Sequence, residues 1–68
     1  MPFKPAIFRL TTERIKSDYA KAHFNLAGTF QELGQLEAAV NSYEKALEIE
    51  PDYAEAHNNL GSVFKELK

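Results

Sequence analysis

The sequence predicts an all-α fold, an antiparallel helix-turn-helix array of about one and a half repeats behind an N-terminal helix or arm. Three observations predict it. Apolar residues recur at helical spacing. The two ends of the chain superimpose at an offset of 34 residues. The apolar stripes are separated by a glycine at one break and a proline at the other.

The offset is the firmest of the three. Asp18–Gly34 set against Asp52–Lys68 gives ten identities in 17 pairs, including both Asp-Tyr-Ala starts, both histidines and both asparagines. Chance agreement would be about one pair in seventeen, so a unit near 34 residues is present once in full and half again. The full unit spans residues 20–53 and the half unit residues 54–68, with an atypical segment at 1–19.

Each element follows from its own residues. In segment 1–19, Phe3, Ile7, Phe8, Leu10 and Ile15 suit a short amphipathic helix starting after Pro5. Proline is well placed at a helix start, because its missing N–H would have no partner there anyway. Ile7, Phe8, Thr11 and Thr12 also suit an extended arm. Shifted by the repeat, Ser17 stands where Pro51 stands, a poor match. For helix 20–33, Ala22, Leu26, Phe30 and Leu33 form the stripe, and Gly34 follows where a left-handed cap is needed. For helix 36–49, Leu36, Ala39, Val40, Tyr43, Ala46, Leu47 and Ile49 keep helical spacing. Pro51 stops it, since proline disfavours a helical residue before it. For helix 54–67, Ala56, Leu60, Phe64 and Leu67 repeat the first stripe, with Asp52 and Glu55 spaced as a capping box. The short breaks make neighbouring helices antiparallel.

Composition narrows the function. The chain has 68 residues, no cysteine and a net charge of −2. That excludes a disulfide staple, a thiolate metal site and a cysteine nucleophile, and leaves no room for a roomy catalytic cleft. Residues 1–21 carry five basic and two acidic groups, and the remainder three basic and eight acidic, so the two parts are +3 and −5. Glu13 and Asp18 interrupt the basic start, which reads as a solvated face rather than a nucleic-acid arm or a presequence. No stretch approaches the roughly 20 apolar residues of a membrane span. A cytoplasmic protein with no nucleic-acid or membrane partner is expected.

The unit reads His23-x2-Leu26-Ala27-x2-Phe30, then Ala39-x3-Tyr43, then Pro51, and the half unit His57-x2-Leu60-Gly61-x2-Phe64. This resembles the tetratricopeptide repeat, whose period is 34 residues and whose pattern has the same small and large order. Histidine replaces the large apolar residue that opens the pattern. The resemblance implies a protein-interaction module in which Ala27 and Gly61 permit close helix approach. The His-x-Asn-Leu form of both copies is closest to the repeats of O-linked N-acetylglucosamine transferase. There, an asparagine at this position forms an inner ladder that bonds peptide backbone. Asn25 and Asn59 match that position, and a carboxamide can both donate to and accept from a peptide unit. The alternative function is a non-catalytic piece of a larger repeat enzyme such as a glycosyltransferase.

Helical geometry adds Lys21, Phe24, Gly28, Asn58 and Ser62 to a peptide-binding face, with Gln31, Glu32, Glu55, Lys65 and Glu66 nearby. Phe24 and Gly28 occupy two positions of the lysine/asparagine carboxylate clamp that some family members carry, so that clamp is not reproduced. Phe24 either offers an apolar contact or lies under the first segment. His23 and His57 lack the i+4 partner of a helical metal pair, and packing is their simpler role, so no metal, cofactor or catalytic residue is expected. Finally, helix 54–67 has only one neighbour along the chain. Its Leu60, Val63, Phe64 and Leu67 are expected to form a homo-oligomer interface beside the protein or peptide partner.

Overall fold

The computed structural model describes residues 5–68, with side chains from residue 12 onward. Three helices follow one another: α1 (Pro5–Glu32), α2 (Leu36–Ile49) and α3 (Ala54–Leu67). α1 packs on α2 and α2 on α3, the all-α antiparallel arrangement expected. The proposed apolar set Phe3, Ile7, Phe8 and Leu10 lies outside the described side chains.

The first departure is the length of α1. It runs unbroken for 28 residues, so residues 5–19 are helical, as one of the two expectations had it, but continuous with the expected helix 20–33. The reason sits one repeat downstream. Pro51 removes a donor and ends α2, with Glu50 extended (φ −130°, ψ 91°), whereas the equivalent Ser17 imposes no such break. Pro5 stands at the first helical position. α1 is therefore about 42 Å long, and α2, of 14 residues, about 21 Å.

The α1–α2 connection is a Schellman cap. Gln35 N–H donates to the Phe30 carbonyl at 2.9 Å and Gly34 N–H to that of Gln31 at 3.0 Å. Gly34 takes φ +80°, a conformation in which a Cβ would be strained. The start of α3 differs from expectation. Its N-cap is Tyr53, without a side-chain cap bond, so Asp52 and Glu55 form no capping box. Asp52 instead stays exposed in the turn.

The core is built largely of alanine. Ala27, Ala39, Ala56 and Val63 are fully buried around Tyr43, with Phe24, Phe30, Leu36, Val40, Leu47, Tyr53 and Leu60 packed on them. Small side chains at facing positions let backbones approach, and one large ring then fills the remaining space. The expected stripe of α1 is corrected by this packing. Ala22, Leu26 and Leu33 are exposed, and the buried line is Ala20 and Ala27 with the half-buried Phe24 and Phe30. In α3, the equivalent Ala56 and Leu60 do pack, because α2 lies against them. α1 has α2 on its other flank and nothing among the described residues against this one.

Candidate functional site

Tyr43 organises the region where the three helices meet. Its ring lies edge-on to Phe24, centroids 5.7 Å apart. Phe24 in turn stacks on Tyr53 at 5.1 Å. Phe24 is thus half-buried against α2 and the start of α3, not under the first segment. Burial, then the charges of Glu55 and Glu50, push the Tyr53 hydroxyl above its ordinary pKa, because each disfavours the phenolate.

A polar relay crosses the same region. Tyr43 Oη donates to Gln31 Oε1 at 3.1 Å, and Gln31 Nε2 donates to Glu66 Oε2 at 3.3 Å. One side chain from each helix takes part, so α1 and α3 are held side by side with α2 behind them. A Cβ at Gly28 would stand 3.9 Å from the Tyr43 hydroxyl, ordinary contact, so this glycine leaves space over the ring.

On α1, Lys21 and Asn25 are exposed. The hydrogen bond at Asn25 uses its backbone carbonyl, which accepts from Thr29 Oγ1 at 3.2 Å and leaves the carboxamide in solvent. On α3, Asn58, Asn59 and Ser62 share an open depression of about 440 Å³ with His57, Gly61 and Lys65. The structure therefore brings together the α3 candidates, while Lys21, Phe24, Asn25 and Gly28 lie outside that depression.

The repeat explains the depression. Its Asn58, Gly61, Ser62 and Lys65 correspond to Phe24, Ala27, Gly28 and Gln31 of α1. Those α1 residues sit against α2: Ala27 shares the buried core with Tyr43, and the other three approach the Tyr43 ring or hydroxyl. The depression is thus a helix seat with no helix in it among the described residues. A Cβ at Gly61 would meet nothing within 4 Å. The expected close helix approach holds at Ala27 and is absent at Gly61.

The same mapping corrects the expected oligomer surface. Val63 is fully buried in the chain's own core and offers no outside contact. Leu60 is half-buried, which leaves Phe64 and Leu67, 49% and 42% exposed, as the open members of that set. The reason is the handedness of the array: α3 turns Ala56, Leu60 and Val63 toward α2, and only the far flank stays open.

His57 has a local role that spacing did not indicate. Its Nε2 lies 2.8 Å from the Pro51 carbonyl. A carbonyl only accepts, so the ring donates and holds the α2–α3 turn. His23 cannot copy this, because the residue six before it is Ser17, inside α1. Among the described residues, no three His, Asp or Glu side chains cluster as metal ligands would. No helix among them is long and apolar enough to cross a membrane.

Residues 29–68 match the family model described as TPR repeat, which covers more than half of the chain. The match takes in the last turn of α1, all of α2 and all of α3. No curated protein and no solved structure matches the chain.

Proposed function

Because the chain belongs to the tetratricopeptide repeat family, we propose that it is a protein-interaction module gripping an extended peptide on the inner face of α1 and α3. The supporting observation is the Tyr43–Gln31–Glu66 relay. It links the first helices of successive units, which supports reading their equivalent residues as neighbouring rows. Asn25 and Asn59 head those rows, in the His-x-Asn-Leu form that resembles the transferase repeats. Each can bond one peptide unit without reading its side chain, so recognition is sequence-tolerant. Lys21, Asn58 and Ser62 supply further polar contacts, and Gly28 leaves room for a peptide to approach the Tyr43 hydroxyl.

Asn25→Ala combined with Asn59→Ala is expected to weaken peptide capture about tenfold, as for two hydrogen bonds lost at roughly 0.5–1.5 kcal/mol each. Titration of a peptide library against both proteins reads the change, with circular dichroism as the folding control. Equal binding by the double variant rejects the asparagine ladder.

A second reading concerns the empty seat on α3. Gly61 opens it, and the exposed Phe64 follows one turn along the same helix, which suits self-association through α3. On this second reading only, Phe64→Glu halves the sedimenting mass while a change on α1 does not, with the helix content unchanged. A mass unaffected by that change removes α3 from the self-contact.

A further inference from the structure

α1 carries a second apolar face, on the side away from α2. An α-helix turns about 100° per residue, so Ile15, Tyr19, Ala22, Leu26, Thr29 and Leu33 fall within about 40° of one line along it. All six are exposed, with Ile15 at 50%, Tyr19 at 62%, Leu26 at 45% and Leu33 at 65%. The stripe is about 27 Å long. Ala22, Leu26 and Thr29 are the repeat equivalents of Ala56, Leu60 and Val63, the flank α3 turns toward α2, while Ile15 and Tyr19 carry the line upstream of the repeat. The chain just before Leu26 cannot fold back over it either, because that chain is the same continuous helix.

We propose that this stripe is where a second copy of the chain docks, α1 against α1 in antiparallel order about a two-fold axis. Two features of the stripe select that occupant. The first is size. Antiparallel pairing about the centre of the stripe sets Ala22 against the partner's Leu26, Tyr19 against the partner's Thr29 and Ile15 against the partner's Leu33. Small faces large in the two central pairs, as interdigitating helices require. The second is charge. Arg14 and Glu32 are exposed on the same flank of the stripe, near its opposite ends. Antiparallel order brings Arg14 beside the partner's Glu32, twice by symmetry, whereas parallel order turns the two charged flanks to opposite sides of the seam and pairs neither.

This contact uses residues distinct from those of the α3 seat. Arg14 and Glu32 share the flank of α1 that carries Asn25, so the contact borders the asparagine row rather than facing away from it. It also places the second copy on a self-complementary face.

Sedimentation equilibrium of the whole chain at tens of micromolar tests it. The expected mass is that of two chains. Leu26→Glu, a change at an exposed position, should halve it with the helix content retained. Arg14→Glu should shift dimerisation to higher concentration, and Arg14→Glu with Glu32→Arg should restore it. A structural effect of either charge would not be rescued by the swap. A monomeric parent chain overturns the proposal, and so does a Leu26→Glu protein of unchanged mass. Halving by Phe64→Glu alone also overturns it and places the second copy on α3. Peptide affinity measured on the same variants keeps the outcomes separate, since the asparagine face can fail or hold whatever the mass.

Discussion

Replacing Tyr43 with alanine is expected to leave the chain largely unfolded at room temperature. A domain of 68 residues has a stability of roughly 3–10 kcal/mol. Tyr43 is 1% exposed and, with Val63, one of the two largest fully buried side chains. Truncating a buried aromatic to alanine costs about 3–5 kcal/mol, the lost transfer energy plus a cavity. Here the neighbours are mostly alanines at facing helix positions. They have no side chain to swing into the gap, so the cost belongs at the upper end. Tyr43→Phe separates ring from hydroxyl. It keeps the packing and removes only the bond to Gln31, a loss of about 0.5–1.5 kcal/mol. Thermal melts followed by circular dichroism read both variants. A Tyr43→Ala melt that superimposes on the parent would show that the core does not depend on this ring.

The second large effect contrasts two equivalent positions. Ala27→Leu should destabilise by about 1–3 kcal/mol, because Ala27 is fully buried among Tyr43, Ala39 and Ala56 and added atoms must displace them. Gly61→Ala, one repeat later, should stabilise by up to about 1 kcal/mol, since the new methyl meets nothing and alanine is the better helix former. In a domain of this size each kcal/mol moves the melting temperature by roughly 4–8 °C. Opposite shifts at two sites that the sequence treats as one are the expected result. A loss of stability in Gly61→Ala would place another helix on the α3 seat in solution.

The pair also shows how far the sequence could be read. Ala27 and Gly61 are indistinguishable by spacing, yet one is walled in and the other open. The pattern named the small positions correctly and could not tell which had a neighbour. Leu26 and Leu60 repeat the lesson: identical in type and register, one is exposed and the other packs on the core. Val63 shows the reverse error. Apolar character groups it with Phe64 and Leu67, while one residue along a helix turns a side chain through about 100° and here carries it into the core. Repeat position alone marks Asn25 and Asn59 as candidates. It does not mark the Tyr43–Gln31–Glu66 relay, because its partners come from three helices and share no local spacing.

What the sequence by itself determined is the local and periodic part of this protein. Helical period, the glycine after α1, the proline after α2 and the 34-residue offset are properties of neighbouring residues, and neighbours set backbone conformation. They establish three antiparallel helices and the repeat family. Only the tertiary structure decided which flank of each helix is covered. α1 continues through Ser17 to Pro5, and among the described residues the Ile15–Leu33 stripe is bare and the α3 seat at Gly61 is empty. Burial depends on what lies opposite a side chain, and in this array the opposite residue is about a helix away in sequence.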